Sequence, residues 1–143
     1  MWMQDSQSSA DSSLSFDSTH LEKMIPGIHC FNKQEYWECH EELEHCWLED
    51  RQDPARYIYW AVIQVAAAMV HYGNNNLIGC VGLMKKAREK FQKARELHVV
   101  TPLVLEKLEW NDFEKLALSM PENPETLDCY GPIWDFRFKN FLE

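Results

Sequence analysis

Apolar residues recur at spacings of three and four over three long stretches of the chain, the period of helices that bury one face. From about Lys33 to Asp50, Tyr36, Trp37, Leu43, Trp47 and Leu48 alternate with carboxylates and histidines and predict a first helix. Asn32 stands where an N-cap belongs, Glu35 three residues later completes a capping box, and Phe31 can staple against Tyr36. Asp53-Pro54 gives a second start, and the apolar run from Tyr57 carries that helix to a stop at Gly73. The connection is short, so this first helix pair is expected to be antiparallel.

Beyond Asn74-Asn75-Asn76, the residues Cys80, Met84, Ala87, Phe91, Ala94 and His98 predict a third, amphipathic helix ending near Leu97. Thr101-Pro102 resembles another cap, and Asn111 or Asp112 a further one, so one or two shorter helices are expected before Met120-Pro121. From Pro132 to Leu142, Trp134, Phe136 and Phe138 alternate with polar residues, as in an edge strand or an extended arm packed on the bundle. The fold expected is all-α, a compact bundle of about four to five helices over residues 25–120. A flexible Ser/Asp-rich tail over 1–24 and an aromatic C-terminal arm over 121–143 flank it. The tail has seven serines in its first twenty positions, too polar to repay its ordering entropy.

Composition narrows the function classes. A chain of 143 residues suits one domain. A net charge of -9 argues against general nucleic-acid or anionic-membrane binding, because the summed field repels phosphate. Against that stands a basic run in the third helix, Lys85, Lys86, Arg88, Lys90, Lys93 and Arg95, read first as a solvated face and second as a phosphate or RNA contact. The longest apolar run, Tyr57 to Val70, is interrupted by Gln64 and too short to cross a bilayer. Five cysteines without a C-x-x-C pair fit a reducing compartment. A cytoplasmic location is expected, or an organelle if a transit peptide has been removed.

The chemistry-bearing residues gather on the first two predicted helices. At 100° per residue, Trp37, His40, Glu41, Glu44, Trp47 and Leu48 share one face, which its tryptophans should turn inward. Tyr57, Trp60, Gln64, Ala67, Ala68 and His71 share a face of the second. If the two meet, His40, Glu41 and Glu44 converge on Gln64 and His71. Two carboxylates and two imidazoles are ligand types that hold a divalent metal in helical bundles, which makes His40, Glu41, Glu44 and His71 the candidate metal ligands. Without metal, and with no other cofactor, His40, Glu41 and Glu44 suit proton transfer, and Trp37, Trp47, Gln64 and His71 would line a ligand pocket.

The run Phe31-Asn32, Tyr36-Trp37-Glu38-x-His40-Glu41-x-Leu43-Glu44-x-x-Trp47, then Ile63-Gln64-x-Ala66-Ala67 and His71, resembles the helical family catalogued as domain of unknown function three-hundred-and-nine. The resemblance covers roughly residues 31–97 and implies a compact helical bundle, with the same His, Glu and Trp positions as its motif. Cys39 and Cys80 stand where small residues are expected in that pattern and look like core fillers. Two function classes follow. One is metal-dependent or acid/base hydrolysis of a small substrate. The other is a noncatalytic interaction or scaffold protein in which the cluster is a structural hydrogen-bond network. The partner is a small molecule or a protein, with homodimer formation through the aromatic arm as one form.

Overall fold

The computed structural model describes residues 15–142. Seven α-helices follow one another among them: α1 (Ser18–Asn32), α2 (Tyr36–Glu49), α3 (Arg56–Gly73), α4 (Leu77–Glu96), α5 (Pro102–Lys107), α6 (Trp110–Leu118) and α7 (Gly131–Trp134). A 3-10 turn, Leu127–Tyr130, precedes α7. The described residues contain no strand, so the all-α expectation holds, with more helices than expected because α1 and α7 add to the predicted set. No helix among them is long and apolar enough to cross a membrane.

The chain orders earlier than its composition suggests. Asp17 caps α1, accepting from the Thr19 and His20 amides, while Nδ1 of His20 accepts from the Asp17 amide at 2.9 Å. This is a capping box closed by histidine rather than by glutamate or glutamine. The other ring nitrogen of His20 lies 2.7 Å from the Asp53 carboxylate, which ties α1 to the loop before α3. Residues 18–24 therefore belong to a packed helix, with Met24 wholly buried, and not to a flexible tail; residues 1–14 lie outside the described region. Gly27 permits a close approach of α1 and α2, since a Cβ there would stand 2.6 Å from Leu43.

Asn32 does not cap α2, whose N-cap is Glu35 with no side-chain bond. Its amide instead clamps the arm, with Oδ1 accepting from the Phe138 amide at 2.8 Å and Nδ2 donating to the Phe138 carbonyl at 3.3 Å. The expected Phe31–Tyr36 contact is present, edge to face at 5.1 Å. α3 stops at Gly73 and α4 at Glu96, close to expectation, and Thr101 caps α5 through Val104. α6 starts at Trp110, before the expected Asn111 or Asp112 cap, with Glu109 in the left-handed region at φ 46 and Trp110 fully buried. The arm is neither strand nor extended throughout: α7 bends it, and Phe138 is buried among Phe31, Phe113 and Phe136.

Candidate functional site: the α2–α3 seam

The buried side of α2 is Tyr36, Cys39, Leu43 and Cys46; Cys80 of α4 and Cys39 fill the core as expected, and Cys46 is buried along with Cys39. Burial raises both thiols of α2, that of Cys46 to about 11. This stripe lies about 150° around the helix from Trp37, Glu41, Glu44 and Leu48. The inward-turned face expected from the sequence is therefore corrected. Trp37 is 55% and Leu48 49% exposed, and Glu41 and Glu44 are exposed beside them. Only His40 and Trp47 of that set turn toward α3, where they sit half-buried.

α3 meets them with the stripe the sequence indicated: Tyr57, Trp60, Gln64, Ala67 and His71 are half-buried, whereas Ala68 is fully buried. Trp47 packs edge to face on Trp60 at 5.2 Å, and Trp37 shares a cleft with Val70 and Gly73, which makes the pair antiparallel. That register sets His40 at the level of Ala67 and Glu44 at the level of Gln64. Trp60 is further stacked on Tyr57 at 5.3 Å, and Lys90 of α4 lies 4.4 Å from its ring centre. His71 sits about a turn beyond His40, and its Nδ1 stands 3.1 Å from the Asn76 amide nitrogen, facing the α3–α4 connection.

The seam thus brings together His40, Trp47, Gln64 and Trp60, and leaves Glu41 on the outer surface and His71 at one end. Among the described residues no three His, Cys, Asp or Glu side chains form a group that could hold a metal ion. The donor set His40, Glu41, Glu44 and His71 therefore does not fit a divalent metal in this arrangement. Nor do these residues form a network, since no hydrogen bond joins His40, Glu41, Glu44 or Gln64 to another described side chain. Nδ1 of His40 and Nε1 of Trp47 are buried without a partner among the described residues. Such atoms cost about 1–3 kcal/mol each. Both are covered by aromatic side chains that are not fully buried, Trp37 stacked on His40 at 5.2 Å and Trp60 against Trp47.

Of the six basic residues of α4, four are engaged within the fold. Arg88 donates to the carbonyls of Leu118 and Met120, Lys90 covers Trp60, Lys93 faces Glu96 at 3.9 Å, and Arg95 pairs with Glu114 at 2.7 Å. The run is therefore largely engaged within the fold, through carbonyls, a ring and two carboxylates, and is less free than the solvated face of the first reading. The sequence did not single out Trp60 or Trp134 as parts of a site; helical spacing from Gln64 points to the first, while nothing local points to the second.

Residues 24–83 match a family model described as Domain of unknown function (DUF309). This segment belongs to the DUF309 family. The DUF309 segment holds most of α1, all of α2 and α3, and α4 as far as Leu83, so it contains the whole seam apart from Lys90. A curated relative, "Uncharacterized protein YpuF" of Bacillus subtilis (strain 168), is 31% identical over 100 residues, which are 70% of this chain and 55% of the relative. The chain thus spans about half the length of that relative. No solved structure matches the chain.

Proposed function

We propose that the chain is a noncatalytic interaction module that docks a partner protein on the outer face of α2. The observation that carries this reading is the stripe Trp37, Glu41, Glu44 and Leu48, in which two large apolar side chains stay about half exposed on either side of two carboxylates. Fully burying a side chain of this size is worth roughly 1.5–3 kcal/mol, and with each about half exposed the isolated fold leaves roughly half of that unused. Tryptophan is also over-represented among the residues that anchor interfaces. A hydrolytic reaction would ask Glu41, Glu44, His40 and His71 to converge on one substrate, and they are spread over an outer stripe, a seam and a helix end.

A photo-crosslinking residue placed at Leu48, with a second protein carrying it at Ile78, tests the proposal in the cells that make the protein. Ile78 is 86% exposed on α4 and serves as the control surface. A discrete adduct from position 48, absent from position 78 and lost on adding Trp37→Ala, is the expected result. Equal adducts from both positions, or none from position 48, would remove the proposal.

A further inference from the structure

At one end of the seam, the first turn of α2, the last turn of α3 and the C-terminal arm border a shallow, open cleft of about 370 Å³ whose lining includes Glu35, Trp37, Glu38, Gly73 and Trp134. Trp134 is fixed there. Its ring lies 4.9 Å from Tyr36 and 5.1 Å from Tyr72, and its carbonyl accepts from the Tyr36 hydroxyl at 2.6 Å and from the Gln34 amide at 3.1 Å. A Cβ on Gly73 would stand 3.4 Å from Trp134, so glycine keeps the floor of the cleft open beside that ring. Trp37 is braced from one side by His40, stacked at 20°, which leaves its other face to the cleft and to solvent.

Two indoles thus stand beside two exposed carboxylates, Glu35 and Glu38, which form no ion pair or side-chain hydrogen bond with any described residue. Aromatic faces attract cations through their quadrupole, and unpaired carboxylates add charge of the same sense. Of the two cations of the neighbouring arm, Arg137 and Lys139, Arg137 is held by the carbonyls of Trp134 and Phe136 and pairs with neither carboxylate. We infer that this cleft receives a lysine or arginine side chain of the partner docked on α2, an assignment that rests on the interaction reading above. The occupant is polypeptide rather than a free cation because the charge continues along the docking face. Glu41 and Glu44 extend it along the outer face of α2, a helix that carries no lysine or arginine.

The test uses the full chain labelled with nitrogen-15, following the indole N–H signals of Trp37 and Trp134 during titration with N-acetyl-lysine N-methylamide and its arginine counterpart. The blocked norleucine, of similar length and uncharged, and choline serve as comparisons. Saturable shifts with the lysine or arginine probe, weakened by added salt and weakened about tenfold by Trp37→Ala or Glu38→Gln, are expected. Unchanged signals from Trp110 show that a variant remains folded. Equal shifts with norleucine would mean an apolar cleft. Shifts with choline alone would mean a small free cation, and no shift with any probe an empty groove; each overturns the assignment. A position-48 adduct that persists without any lysine or arginine preference would sink the cleft assignment alone. Lysine binding without that adduct would sink the docking reading alone.

Discussion

Replacing Asn32 by aspartate separates two roles that the residue's place in the sequence allows. As an N-cap, aspartate is as good as asparagine and favours the helix dipole, so the substitution would be neutral or mildly stabilising. As the clamp on the arm, it keeps the acceptor for the Phe138 amide but loses the donor to the Phe138 carbonyl and sets a carboxylate about 3.3 Å from that oxygen. The lost bond, the unpaired carbonyl and the repulsion together amount to roughly 2–3 kcal/mol. In a chain of this length that is a fall in Tm of roughly 5–10 °C. Asn32→Ala removes both bonds and is expected to cost at least as much. Urea and thermal unfolding measure both variants, and limited proteolysis should show cleavage between Asp135 and Lys139 appearing in each. Asn32→Asp as stable as the parent, with an arm equally resistant to protease, would refute the clamp.

The corrected orientation of α2 predicts that Trp37→Ala and Leu48→Ala change stability by less than about 1 kcal/mol, whereas Leu43→Ala costs roughly 2–5 kcal/mol by urea unfolding. Elemental analysis of protein purified without affinity metals or chelators should show no stoichiometric divalent ion that His40→Ala removes; near-stoichiometric metal lost in that variant would restore the metal reading. With a thiol-specific disulfide reagent at neutral pH, Cys30 and Cys129 should react well before Cys39, Cys46 and Cys80, whose burial also raises their thiols, that of Cys80 to about 12. Burial opposes the charge of Lys23, but the hydrogen bond and charge of Asp50, with Glu49 behind, outweigh it and raise the ammonium. Its contribution to stability is therefore complete below the ordinary lysine value of about 10.4 and lost as pH rises through the folded value, a dependence that Lys23→Met should flatten.

α3 and α4 were legible in the sequence because their apolar period is long and their ends carry ordinary stop signals, Gly73 for the first and the basic last turn of Lys93 and Arg95 for the second. The orientation of α2 was not. Trp37, Trp47 and Leu48 are bulkier than Tyr36, Cys39, Leu43 and Cys46 taken one by one, yet small cysteines fill the tight space against α1 and the tryptophans remain outside or at the seam. α1 was hidden for a different reason. Its start follows a Ser-rich stretch, its capping box closes through His20, and Pro26 and Gly27 inside it read as breakers, although Gly27 is needed for the contact with Leu43. Of the candidate site, the α3 stripe and the placement of His40 and Trp47 beside it could be read from helical spacing. The outward turn of Glu41 and Glu44 depends on which side of α2 meets α1, and the cleft at Trp134 depends on a return of the chain that no local pattern encodes.

The clamp between Asn32 and Phe138 joins positions 106 residues apart. During synthesis, α1 and α2 leave the ribosome long before the segment that completes their packing. Until Phe138 emerges, Phe31 lacks one of its ring partners and the Asn32 amide has no backbone to hold. Helices α1 to α4 can assemble as they appear, but the aromatic end of this hairpin stays uncovered for most of translation, a period in which exposed apolar surface invites chaperones or wrong partners. The last stretch of the chain therefore acts as a closing latch on its first helices.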